Sequence, residues 1–139
     1  MNIAIIGGGA SGSVAALRIK QNNPLINVTI YEKNAKLLKK VSVTGNGRCN
    51  LSNINISSNM YQNPSIISRM LEMGYNNATL DFFHELGLFT ITDEEGRIYP
   101  KSNQAQTVVE LLTKELFYKK VNVKTNIVIY SVILTYTSI

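Results

Sequence analysis

Three glycines set the first chemistry this sequence can do. Gly7, Gly9 and Gly12 stand in the spacing G-x-G-x-x-G, directly after the apolar run Ile3-Ala4-Ile5-Ile6 and around Ala10 and Ser11. A short strand, a tight turn and a helix start, in that order, aim the first helical N–H groups at an anion, where the helix dipole favours negative charge. Gly7 can take the tight turn, Gly9 lets the backbone approach a pyrophosphate, and Gly12 lets the helix pack on the strand. An ordinary glycine-rich strand-to-helix turn has the same local sequence, so its surroundings must decide. Glu32 is the second group. It falls 20 residues after Gly12 (32 − 12), close to the offset at which a carboxylate meets the 2′- and 3′-hydroxyls of a ribose and repels a 2′-phosphate. A solvent-facing Glu at a strand end is the plain alternative.

The third candidate is the stretch KKVSVTGNGRCNLSN, from Lys39 to Asn53. Thr44-Gly45-Asn46-Gly47 carries turn chemistry and freely oriented backbone N–H groups, with Arg48, Cys49 and Asn50 following. A polar loop this rich in Gly and Asn suits wrapping an anionic or heteroaromatic ligand. Cys49 beside Arg48 could have a lowered pKa and act in redox chemistry, but it has no CxxC partner. Cys49 and His84 are the only soft ligands in the chain, and no spacing suits zinc, so no metal site is expected. His84 reads as a surface or hydrogen-bonded histidine.

The elements that must position these groups follow from apolar periodicity. Met1 to Ile6 predicts a first strand, apolar enough to be buried on both faces. A helix from about Ala10 carries Val14, Ala15, Ala16, Leu17 and Ile19, and Pro24 forbids its continuation. Asn27 to Tyr31 is β-branched and aromatic, a second strand that Glu32 ends. Together they make a βαβ unit of about 30 residues. Val41 to Val43 suggests a brief extended piece. Pro64-Ser65 opens a helix with Ile66, Ile67, Met70 and Leu71 at core spacing, and Asn77 to Leu86 predicts another, closed by Gly87. Phe89–Thr92 and Arg97–Tyr99 flank Asp93-Glu94-Glu95-Gly96 as a hairpin with Gly96 at positive φ. Ser102 or Asn103 caps a helix carrying Val108, Leu111, Leu112 and Leu116. Val121 to Thr125 then predicts a third parallel strand beside the second.

Composition bounds the partners. At 139 residues and 45% hydrophobic content the chain is one domain by length, with no apolar run near the roughly 20 residues a membrane helix needs. No membrane partner is expected. The net charge is +5, but the basic residues are scattered and not interleaved with aromatics. They fit a solvated surface or attraction to an anionic cofactor, and nucleic acid is not an expected partner. A single cysteine allows no internal disulfide, which is compatible with a reducing cytoplasm.

GGGASG, a strand ending in YEKN, and TGNGRCNLSN together resemble one family of bacterial flavoproteins. These are the two-dinucleotide-fold FAD-dependent oxidoreductases named for aminoacetone oxidase or for a flavin reductase of bile-acid dehydroxylation. TGNGRCN is the specific part. GRIYPKS, from Gly96 to Ser102, resembles the family's second signature, so the likeness runs to about residue 126. It implies that Gly7, Gly9, Ala10, Ser11 and Gly12 hold the FAD pyrophosphate and that Glu32, with Lys33 beside it, holds the adenosine ribose. Lys40 and the loop Thr44, Gly45, Asn46, Gly47, Arg48, Cys49 and Asn50 would then run along the flavin half, with Arg48 steering charge there. It also implies NAD(P)H as electron donor of a full-length enzyme. The chain departs from the family at Leu38, where a glycine usually stands, and at Ser13-Val14, where larger apolar residues do.

A complete doubly wound sheet needs about five or six strands, and three parallel ones are legible here. The fold class expected is therefore α/β: an incomplete Rossmann-like FAD-binding domain with a helical and hairpin insertion. Its βαβ core would span 1–50, the insertion about 51–119, and the returning strands 121–137. Ile127 to Ile139, without charge, reads as an unpaired, aggregation-prone edge. Three functions compete on the sequence. One is the FAD-binding portion of a truncated flavin-dependent oxidoreductase, inactive alone. Another is a non-catalytic remnant with weak or no nucleotide binding. The last is an NAD-binding module of a dehydrogenase, against which TGNGRCN argues. No residue stands out as a catalytic acid or base.

Overall fold

A computed structural model of the chain describes residues 1–133. In chain order its elements are β1 (Asn2–Ile6), α1 (Ala10–Asn22), β2 (Asn27–Tyr31), β3 (Ser52–Asn53), α2 (Pro64–Glu72), α3 (Ala78–Glu85), β4 (Thr90–Thr92), β5 (Arg97–Pro100), α4 (Ala105–Tyr118) and β6 (Asn122–Lys124). They fall into two compact units. The first holds Met1–Lys39 and the chain from Leu112 onward; the second is Lys40–Leu111.

In the first unit β1, β2 and β6 form a parallel sheet in the order β1-β2-β6. Asn2 pairs with Asn27 through to Ile6 with Tyr31, and Thr29 to Tyr31 pair with Asn122 to Lys124. The α1 crossover that joins β1 to β2 ends before Pro24, as the missing N–H of proline requires. The buried Lys20 of its last turn donates from Nζ to Pro24 O at 2.6 Å and Ile26 O at 3.0 Å, which satisfies carbonyls of the connection between α1 and β2. Ala16, Leu17, Val28, Ile30 and Leu38 are the buried apolar side chains of this stretch, with Leu112 and Leu116 from α4.

The expectation that β1 is buried on both faces does not hold. Its residues alternate between exposed and half-buried, because among the described residues β1 is an edge strand with β2 as its paired neighbour. The central strand β2 is the one whose Val28 and Ile30 are closed off.

In the second unit β3, β5 and β4 form an antiparallel sheet in the order β3-β5-β4. The expected hairpin is present. Gly96 sits at φ +77 and the Asp93 carboxylate takes N–H groups from Glu95 and Arg97 and the Arg97 guanidinium Nε. Phe82 and Phe83 meet edge to face at 5.3 Å and are buried with Leu88, Ile98, Tyr99, Ala105 and Val108.

Four local expectations are corrected. Val41–Val43 is a single 3-10 turn, not an extended piece; with no strand to pair with, its β-branched residues follow the helical backbone of Lys40. The apolar face of α2 is not core: none of its residues is buried, and Ile66 remains 60% exposed. α4 starts at Ala105, after Ser102 Oγ has taken the Gln104 N–H in a turn and Asn103 has crossed to φ +56. Residues 127–133 form no strand, and the remainder of the expected terminal strand lies outside the described residues. No helix among the described residues is long and apolar enough to cross a membrane.

Candidate functional site

In the first unit the glycine turn is built as its spacing predicts, and its middle residue is closed in on several sides. Gly7 takes φ +100 and donates its N–H to Tyr31 O at 2.8 Å, so the turn is tied to the end of β2. Gly8 is buried, and a Cβ there would lie 2.1 Å from Leu37 Cδ2 and 3.3 Å from Glu32 Cβ. Both of its backbone polar groups are taken: its N–H by Glu32 Oε2 at 2.7 Å, its carbonyl by the Leu38 N–H at 2.8 Å. A Cβ on Gly12 would lie 2.0 Å from Gly7 O, which is the close packing of helix on turn expected there. Gly9 differs, since a Cβ on it would meet nothing within 4 Å.

The α1 N-terminus is open. Its N-cap Gly9 offers no side chain, and the first turn holds no acidic residue. The first helical hydrogen bond runs from Ser13 N to Gly9 O at 3.0 Å, so the N–H groups of Ala10, Ser11 and Gly12 have no intrahelical partner. Gly9, Ala10 and Ser11 are exposed. This is the geometry of an anion site: a concentration of amide hydrogens at the positive end of a 13-residue helix.

Glu32 closes the same site from β2. Its carboxylate accepts the Gly8 amide on Oε2 and, on Oε1, the Asn34 amide at 2.7 Å and Asn34 Nδ2 at 2.6 Å. The Asn34 N–H in the first place, then the Gly8 N–H against the opposing effect of burial, hold Glu32 below the usual carboxylate range. Its backbone is fixed too: Glu32 N donates to Lys124 O and Ile127 N to Glu32 O, each at 2.9 Å. Lys33, next in sequence, is exposed.

The second unit holds Lys40, which is exposed, and the loop Thr44–Asn50. This loop is folded on itself. Gly47 N and Cys49 N donate to Thr44 O at 3.1 and 2.9 Å, and Arg48 N to Gly45 O at 3.1 Å. Gly45, Asn46, Gly47 and Cys49 all have positive φ. The freely oriented N–H groups expected here are therefore partly spent inside the loop. Arg48 is spent as well: its guanidinium lies 4.3 Å from the Tyr99 ring centroid, Nη2 donates to Tyr99 Oη at 3.1 Å, and Nε to Gly45 O at 3.3 Å. Gly47 O receives the Ala105 N–H at 2.7 Å, which seats the loop on the start of α4.

Cys49 is buried, and burial pushes its thiol above the ordinary value against a hydrogen bond with Thr44. That is the environment of an inert structural thiol rather than of a low-pKa nucleophile. His84 Nε2 pairs with Thr90 Oγ1 at 3.1 Å. Among the described residues no group of His, Cys, Asp and Glu could hold a metal ion. Sequence reasoning missed Gly8, Asn34 and Tyr99. Gly8 was visible only as the middle of a glycine run, and Asn34 only as an amide two residues after an acid, a spacing that favours local side-chain hydrogen bonds.

Comparison with known proteins gives these geometries a context. The profile of the HI0933-like protein Rossmann domain matches residues 1–138. A 3-dehydro-bile acid delta(4,6)-reductase of Clostridium scindens is 42% identical over 127 residues, 90% of this chain and 31% of that protein. A ribosomal RNA dihydrouridine synthase of Haemophilus influenzae is 27% identical over 113 residues, 80% of this chain and 27% of its own. Among solved structures, Thermovibrio ammonificans THI4 superposes with a TM-score of 0.60 at 14% identity, over 89% of this chain and 38% of that one, a likeness of fold. The chain thus spans less than a third of the length of these two curated relatives.

Proposed function

This chain belongs to the HI0933-like Rossmann-domain family, and from that premise we propose that it is the FAD-binding portion of a flavin-dependent oxidoreductase. The observation that carries the reading is Glu32. A buried carboxylate, kept ionised at the end of β2, holds the Gly8 amide beside an uncapped, exposed helix N-terminus. The pyrophosphate fits the amides of Ala10, Ser11 and Gly12, with the space beside Gly9 left open for it. The adenosine ribose fits Glu32, with Lys33 beside it. Lys40 and the loop Thr44–Asn50 take the flavin half, where the packing of Arg48 on Tyr99 keeps the loop in shape. FAD, when bound, supplies the electron chemistry, and the chain's own groups bind and orient it. NAD(P)H is the electron donor in this reading, and the reductase name of the Clostridium scindens relative agrees with redox chemistry.

The test is equilibrium titration of the purified chain with FAD, read by flavin fluorescence and by dialysis. Saturable 1:1 binding is expected, weakened at least tenfold by Glu32→Ala, with NAD⁺ failing to compete. An FAD isotherm that never saturates, or one on which Glu32→Ala has no effect, overturns the reading. Preferential binding of NAD⁺ would favour a dehydrogenase module instead.

A further inference from the structure

A carboxylate offers about four lone-pair directions, two on each oxygen. In Glu32 both directions of Oε1 are taken by one residue: Asn34 donates its backbone N–H at 2.7 Å and its side-chain Nδ2 at 2.6 Å. The Gly8 N–H takes one direction of Oε2 at 2.7 Å. Three donors therefore leave one acceptor direction, and it lies on Oε2. The amide orientation of Asn34 is chemically forced, because turning its Oδ1 toward the carboxylate would set two acceptors against each other. Asn34 is itself held from the far side, where its carbonyl accepts the Asn126 N–H at 3.1 Å. Lys124, Ile127 and Asn126, from the end of β6 onward, thus fix the backbone of both Glu32 and Asn34.

We propose that Asn34 is a positioning residue for recognition of the adenosine ribose: by occupying Oε1 it turns the Glu32 carboxylate so that Oε2 alone, beside the Gly8 amide, receives a single ribose hydroxyl. This rests on the FAD reading above and sharpens it. The expectation from spacing was a carboxylate that serves the 2′- and 3′-hydroxyls together; the hydrogen bonds present leave room for one. Asn34 touches no cofactor in this arrangement. It acts through Glu32, by holding the carboxylate plane and keeping Oε1 from competing for the second hydroxyl.

The experiment compares ADP with 2′-deoxy-ADP and 3′-deoxy-ADP as probes on the full chain. Wild type is expected to lose about tenfold in affinity for one deoxy analogue, the worth of a hydrogen bond to a charged group, and to bind the other within twofold of ADP. Asn34→Ala is expected to shrink the larger ratio to threefold or less, while binding the insensitive analogue as wild type does. A merely structural role would weaken all three probes by the same factor and leave the ratios unmoved, which overturns the proposal. Equal losses for both deoxy analogues in wild type overturn it too. Asn34→Ser, which also lacks the Nδ2 donor, repeats the test if Asn34→Ala does not fold by circular dichroism. Failure of the parent reading looks different, since wild type would then bind neither FAD nor ADP, and the inference falls with it.

Discussion

Leu38 shows what a departure from a family pattern costs in physical terms. The position that usually carries glycine here takes φ +59, a left-handed conformation disfavoured for a residue with a Cβ by about 1–2 kcal/mol. The chain keeps that conformation because it directs the Leu38 N–H to Gly8 O, and the side chain is 1% exposed, so burial of the leucine offsets the strain. Substitution should therefore invert a common order. Alanine is ordinarily more stable than glycine by about 0.4–1 kcal/mol, but Leu38→Gly should exceed Leu38→Ala by about 1 kcal/mol, because alanine retains the strain and glycine does not. Urea unfolding of the two variants measures the difference; alanine above glycine would mean that the backbone there is not left-handed. Ser13, the other departure, is fully buried with its Oγ unpartnered among the described residues. An unpaired buried hydroxyl costs about 1–3 kcal/mol.

The strand, turn and helix formed by β1, α1 and β2 were legible in the sequence, since apolar runs, three spaced glycines and Pro24 each act over a few residues. Less was legible where an outcome depends on distant partners. The amphipathic pattern of α2 identified a helix but could not say whether its apolar face is covered; it packs against its flanking turns and leaves Met70 and Met73 exposed. Val41–Val43 looked like a strand because β-branched residues favour sheets, yet propensity without a pairing neighbour does not make one. At the site, Glu32 could be found from its offset, whereas the use of both Asn34 donors depends on how the turn folds back. The glycine turn itself yields a graded prediction. Gly9→Ala, at φ −78 with open space beside it, should fold within about 0.5 kcal/mol of wild type and lose at least tenfold in FAD affinity. Gly12→Ala, whose Cβ would press on the backbone oxygen of Gly7, should lose stability itself, by more than about 2 kcal/mol, and Gly8→Ala, whose Cβ would press on the movable end of the Leu37 side chain, should lose less. Thermal unfolding with FAD titration separates the classes; a Gly9→Ala protein that binds FAD normally would move the pyrophosphate elsewhere.

At the scale of the molecule, the two units differ in how their groups are spent. The first keeps an open helix end and one acceptor direction on Glu32, while the second ties Arg48, Cys49 and much of its loop into its own hydrogen bonds. A net charge of +5 favours the approach of an anionic dinucleotide at long range and is screened by salt. The edge position of β1 has a further consequence, for exchange of amide hydrogens with heavy water. Gly7 N donates to Tyr31 O and Asn27 N to Met1 O. By the alternation of a parallel ladder, Ile3, Ile5 and Gly7 then send their N–H groups toward β2, and Ala4 and Ile6 send theirs to the open side. Deuterium should enter Ala4 and Ile6 quickly and Ile3, Ile5 and Gly7 slowly, while Thr29 to Tyr31, flanked on both sides, exchange last. An NMR exchange series resolves these amides one by one. Uniform protection along β1 would reveal a neighbour on its open side, and its disappearance on dilution would identify that neighbour as another molecule.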